Sequence, residues 1–119
     1  MEMNKENLKT KEEAIAIFCI VNNGFADLVM SAATEVGARG GTILSARGTG
    51  NKILEKFYGI IISPEKEIII IVVRKKISEK VLLAINEKAG LNSRGKGIAF
   101  ALPVSDYIGV NLDSVDLDN

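Results

Sequence analysis

The sequence contains no histidine and a single cysteine, Cys19. Without histidine there can be no Ser-His-Asp triad, no Cys-His dyad and no histidine-ligated metal site. One cysteine cannot form an intrachain disulfide, which fits a reducing compartment. An excess of one charge is missing too. Lys plus Arg and Asp plus Glu are 15 each over 119 residues, a formal net charge of zero. That argues against a generally basic nucleic-acid binder, and no nucleic-acid partner is expected. No apolar run approaches the ~18–20 residues that span a bilayer. The start of the chain, residues 1–13, is alternately charged and has no apolar signal core. The expectation is one cytoplasmic domain of 12.8 kDa.

The charges that are present are unevenly placed. Every Lys and Arg lies at or before Lys96, and only Asp106, Asp113, Asp116 and Asp118 carry charge after it. Three segments follow from this: a polar N-terminal extension over 1–12, a folded domain over 13–112 and an acidic C-terminal tail over 113–119.

Within the domain the hydrophobic pattern changes period along the chain. Residues 14–21 are apolar and β-branched, which predicts a strand. Asn22-Asn23-Gly24 breaks it. Phe25, Leu28, Val29, Ala32, Ala33 and Val36 then recur at helical spacing, and Gly37 stops the helix. After Gly40-Gly41 comes a second strand over 42–46, then a polar stretch over 47–58 with a short helical turn at 53–57. Two strand pieces, 60–63 and 67–73, flank Ser63-Pro64-Glu65-Lys66, which reads as a tight turn, so the pieces form either a hairpin or one bent strand with a bulge. Ser78 is placed to cap a second helix with Val81, Leu82, Ile85 and Ala89 on its apolar face and Gly90 as its stop. The last strong strand is 98–104, and 107–112 allows a short extra edge strand. The order is β-α-β-β-α-β, an α+β ferredoxin-like sandwich with an antiparallel sheet and two helices on one face.

Two helices cover only one face of such a sheet. Yet Ile68-Ile69-Ile70-Ile71-Val72-Val73 is aliphatic without a break, and 14–21 is nearly so. Strands of this kind are buried on both sides. With no third helix to supply the second cover, copies of the same subunit are the simplest one, and a homo-oligomer is expected.

Two loops carry the candidate chemistry. Gly90-Leu91-Asn92-Ser93-Arg94-Gly95-Lys96-Gly97 approaches the spacing of a Walker A loop. Gly97 stands where a magnesium-binding Ser or Thr is needed, and a helix precedes the loop where a strand should, so this is not a nucleoside-triphosphatase loop. Two readings remain open. One is a phosphate cradle without hydrolysis, in which backbone N–H groups at Gly95 and Gly97 join the cations of Arg94 and Lys96. The other is a solvated polar loop. The second candidate is Arg47-Gly48-Thr49-Gly50-Asn51-Lys52, where a strand enters the longest polar insertion in the chain. Elsewhere, Cys19 reads as a small core residue. Arg74-Lys75-Lys76 reads as a solvated turn, and Glu55, Glu65 and Glu67 as surface charges. Phe57 and Tyr58 read as packed residues. Nothing sets an acid against a base, so no enzyme is expected.

Taken together, the two loops and the strand order resemble the PII nitrogen-regulator family, in its shorter PII-like branch. Residues 90–104, ending in Leu102-Pro103-Val104, are similar to that family's phosphate-binding B-loop and following strand. The stretch from Gly40-Gly41-Thr42 to Gly50 resembles the strand leading into its T-loop. The resemblance implies a homotrimer with its sheets facing inward and small effectors bound in clefts between subunits. It implies AMP, ADP or ATP as effector, with no cofactor required. Arg94, Gly95, Lys96 and Gly97 would lie at the phosphates, with Arg47, Gly48 and Thr49 at the T-loop base. The loop 47–58 would regulate a partner protein, a transporter or an enzyme. The family's Gln at the T-loop base has no counterpart in Arg47-Gly48-Thr49-Gly50, which argues against 2-oxoglutarate sensing. The family's two Arg after the last core strand are also missing from 106–110. The alternative reading is a CutA-like structural or metal-binding trimer.

Overall fold

The aliphatic run at 68–73 lies within one long central strand. In a computed structural model, described over residues 12–49, 56–59 and 64–112, the elements are β1 (Ala14–Asn22), α1 (Ala26–Glu35), β2 (Thr42–Arg47), β3 (Glu65–Arg74), α2 (Lys75–Ala89) and β4 (Ile98–Val104). The sheet order is β2-β3-β1-β4 and every neighbouring pair is antiparallel. This is the expected βαββαβ ferredoxin-like arrangement, with the two most apolar strands in the middle.

Alternation along the strands separates two faces. On the helix side Ile17, Cys19 and Val21 of β1 and Ile69, Ile71 and Val73 of β3 pack beneath Val29 and Ala33 of α1 and Val81, Ile85 and Ala89 of α2. The other face is also apolar. Cross-strand register sets Ile70, Phe18 and Phe100 in one row, Leu44, Ile68, Ile20 and Ile98 in the next, and Val72, Ala16 and Leu102 in a third. The Phe18 and Phe100 rings stack, with centroids 5.6 Å apart. Among the described residues no helix covers this face, and Leu44, Ile98, Phe100 and Leu102 are each 45–47% exposed.

Several local expectations are corrected. Glu65 and Lys66 belong to β3, not to a tight turn, because the strand keeps pairing with β1 as far as Asn22 and with β2 as far as Arg47. Helix α2 starts at Lys75, so Lys75 and Lys76 are its first turn and not a solvated turn. Its opening N–H, on Lys75, donates to Glu13 O at 3.0 Å. Ser78 is therefore not the cap; its hydroxyl donates to Lys75 O at 2.8 Å. Residues 107–112 form no strand. Tyr107 turns away to donate its hydroxyl to Glu12 O at 2.7 Å, and Gly109 takes a left-handed φ of 80°. The ion pair of Arg74 Nε with Glu12 Oε2, 3.2 Å, closes the same end of the sheet. Phe57 and Tyr58 are not packed in the subunit: they sit on a short helical turn and are 69% and 72% exposed. The strand piece expected at 60–63, the helical turn's start at 53–55, residues 1–11 of the polar extension and the whole acidic tail lie outside the described residues.

Candidate functional site

Strand direction brings the two candidate loops to one end of the sheet. β2 runs out at Arg47, β3 runs in at Glu65, and β1 ends at Asn22 beside the loop between α2 and β4. Arg47 pairs through its backbone register with Glu65. The next residue, Gly48, donates its N–H to Pro64 O at 2.6 Å. A Cβ at Gly48 would lie 2.9 Å from Lys66 Cε, so the Lys66 stem occupies the space a side chain would need. Thr49 is exposed.

The loop after α2 is tightly built. Ser93 organises it: its N–H and its hydroxyl both donate to Gly90 O, at 3.0 and 2.7 Å, and its Oγ accepts from Gly95 N at 3.2 Å. Lys96 N donates to Ser93 O, with Lys96 at a left-handed φ of 49°. Gly97 N donates to Ala89 O at 2.7 Å. The N–H groups of Gly95, Lys96 and Gly97 are thus engaged within the protein, which corrects the expectation that those of Gly95 and Gly97 stand free for an anion. These two glycines serve packing instead. A Cβ on Gly97 would collide with Ala89 O and lie 2.9 Å from Val21 Cγ1, and one on Gly95 would lie 3.3 Å from the Phe25 ring. What the loop offers outward is charge, since Arg94 and Lys96 are both exposed while Gly95 and Gly97 are buried.

Three residues that sequence reasoning missed tie this end together. Asn22, the last residue of β1, donates its backbone N–H to Gly95 O at 2.9 Å and its side-chain Nδ2 to Arg94 O at 3.1 Å. Its Oδ1 accepts from Lys66 Nζ at 2.6 Å. Glu67, expected to be a surface charge, is half-buried and points to the other face. Its Oε1 accepts from Gly24 N at 2.7 Å and Ala26 N at 3.3 Å, capping α1 in place of a local Ser, Thr or Asp. The polar break Asn22-Asn23-Gly24 was visible in sequence, but its partners lie more than 40 residues away.

Other sites are less suited to an anion. The groove between α2 and β4, about 260 Å³, is lined by Leu82, Leu83, Ile85, Asn86, Gly90, Gly97, Ile98 and Ala99, with no cation. Cys19 is fully buried, and burial pushes its thiol up to about 11. Among the described residues no three His, Cys, Asp or Glu side chains cluster as a metal site, and no helix is long and apolar enough to cross a membrane.

Comparison with known proteins fits this geometry. PII from Arabidopsis thaliana, in a crystal structure with citrate, is 30% identical, with a TM-score of 0.63 over 86% of this chain and 84% of that one. Bacillus subtilis GlnK, in a complex with ATP, is 20% identical, with a TM-score of 0.63 over 82% and 89%. A putative PII-like signaling protein from Thermus thermophilus is 16% identical, with a TM-score of 0.59 over 78% and 87%. The latter two likenesses speak to the fold alone. No curated protein sequence matches the chain. The family model for nitrogen regulatory protein P-II matches residues 14–114. The chain therefore belongs to the P-II family, whose members are signal transducers and not enzymes.

Proposed function

We propose that this protein is a cytoplasmic, homotrimeric PII-type sensor whose effector is an adenine nucleotide, AMP, ADP or ATP. The effector binds in clefts between subunits, its phosphates against Arg94 and Lys96. Gly95 and Gly97 shape that loop, and Arg47, Gly48 and Thr49 border the cleft from the T-loop base. The loop 47–58 then engages or releases a regulated transporter or enzyme. The observation that carries this reading is the meeting of both loops at one end of the sheet, with two exposed cations on a loop whose backbone is already braced. A braced loop needs little reordering to receive a phosphate, which lowers the cost of binding. The uncovered apolar face supports the trimer, since a patch of that kind marks an interface. The Arabidopsis relative's citrate and the Bacillus relative's ATP are both polyanions, which supports an anion site. The family match favours this reading over a CutA-like metal-binding trimer.

Calorimetric titration with ATP, ADP and AMP tests it. At least one should bind saturably and raise the melting temperature, equivalent to ~2.7 kcal/mol at 100 times its Kd. Replacing both Arg94 and Lys96 by Ala removes two charge-assisted contacts of ~1.5–3 kcal/mol each and should weaken binding tenfold or more. Indifference to all three nucleotides would overturn the reading.

A further inference from the structure

We infer that Asn22 is the positioning residue that couples the nucleotide loop at 90–97 to the base of the T-loop. The inference rests on the sensor reading above and adds the route by which one loop informs the other. No described hydrogen bond joins the loop at 90–97 directly to residues 47–49. The connection runs through Asn22, which makes a contact on each side. Toward the nucleotide loop it holds two successive carbonyls, Arg94 O through Nδ2 at 3.1 Å and Gly95 O through its backbone N–H at 2.9 Å. Toward the T-loop it accepts Lys66 Nζ at 2.6 Å. Lys66 in turn lies against Gly48 so closely that a methyl group there would press on its Cε and Cγ, at 2.9 and 3.3 Å.

The chemistry of the side chain explains why an amide suits this position. A carboxamide presents a donor and an acceptor on one rigid plane. With the loop otherwise braced, a phosphate drawn to the Arg94 guanidinium needs to shift the Arg94 carbonyl only slightly to disturb the Nδ2 contact, and the amide then rotates or releases one partner. Rotation carries Oδ1 away from Lys66, and the Lys66 stem is then free to leave the space it fills beside Gly48. An aspartate at this position would keep an acceptor for Lys66 but lose the donor to Arg94. An alanine would lose both side-chain bonds. Asn22 ends β1 with Lys66 opposite it on β3, so the β3 pairing holds its backbone and the change falls on the side chain.

The test uses the full chain with Tyr58→Cys, an exposed position on the effector loop with no role in the cleft, carrying an environment-sensitive fluorophore; the native Cys19 is buried and stays unlabelled. ATP should shift the probe in this background. In Asn22→Ala and in Asn22→Asp, ATP should still bind by calorimetry, but the probe response should fall about fivefold or more. Binding with an undiminished probe response in both variants would overturn the coupling. The Asp variant keeps side-chain size and guards against simple misfolding, which the melting temperature checks. A second measurement needs no ligand. Lys66→Met keeps the stem but removes the ammonium, and should move the Gly95 amide resonance in wild-type protein but not in the Asn22→Ala background. If no nucleotide binds, the sensor reading fails, and this amide measurement still decides the relay: equal Gly95 shifts in both backgrounds would overturn it.

Discussion

The two faces of the sheet have opposite surroundings. Ile17, Ile69 and Ile71 lie under the helices and are 0% exposed, while Phe100, Leu102 and Leu44 on the reverse of the same sheet are 45–47% exposed. The side chains are alike in kind, so hydrophobicity alone does not say which face holds the subunit together. Cover by α1 and α2 makes that difference. The helix side supplies the subunit's stability; in the proposed assembly, burying the reverse side would add ~25 cal/mol per Å².

This contrast can be broken from either side. The largest change in stability should come from Ile71→Ala. It leaves a cavity on the covered face and should cost about 2–5 kcal/mol, read by chemical denaturation. Phe100→Asp, on the reverse face, should instead lower the molar mass while circular dichroism keeps its strand and helix signal. If Phe100→Asp left the mass unchanged, the reverse face would not be the interface. Gly97→Ala sharpens the picture at the loop end. Its methyl would collide with Ala89 O, at a cost of about 1–3 kcal/mol. Glu67→Gln weakens the cap of α1 and should cost about 0.5–2 kcal/mol.

The last effect concerns Cys19 and shows only at alkaline pH. Its thiol is raised from 9.0 to about 11 by burial. The folded state therefore favours the neutral thiol, a contribution fully present below pH 9 and lost as pH rises toward 11. Denaturation midpoints should fall over that window in wild type more than in Cys19→Ala. At pH 8 the thiol should react with alkylating agents only after unfolding.

Much of the fold was legible because strand and helix periods were clean. The boundaries expected at 98–104 match β4, and the unbroken run at 68–73 signalled a sheet apolar on both faces. The start of α2 was not legible, since its first N–H is met by Glu13, far away in sequence, and not by a nearby hydroxyl. The same holds at the candidate site. Arg47, Gly48, Arg94 and Gly95 stood out as glycine-and-cation strings. Asn22, Lys66 and Glu67 read as a turn and surface charge, because their meaning lies in partners set by strand register. The glycines were read as room for a ligand, whereas Gly97 is needed for the close approach of Ala89 O and Val21.

The most direct measurement is the molar mass of the full chain by light scattering at micromolar concentration, with and without ATP. The account predicts a single species at three times 12.8 kDa. A monodisperse species at 12.8 kDa would leave the reverse face of the sheet in water and no cleft between subunits, and would contradict it.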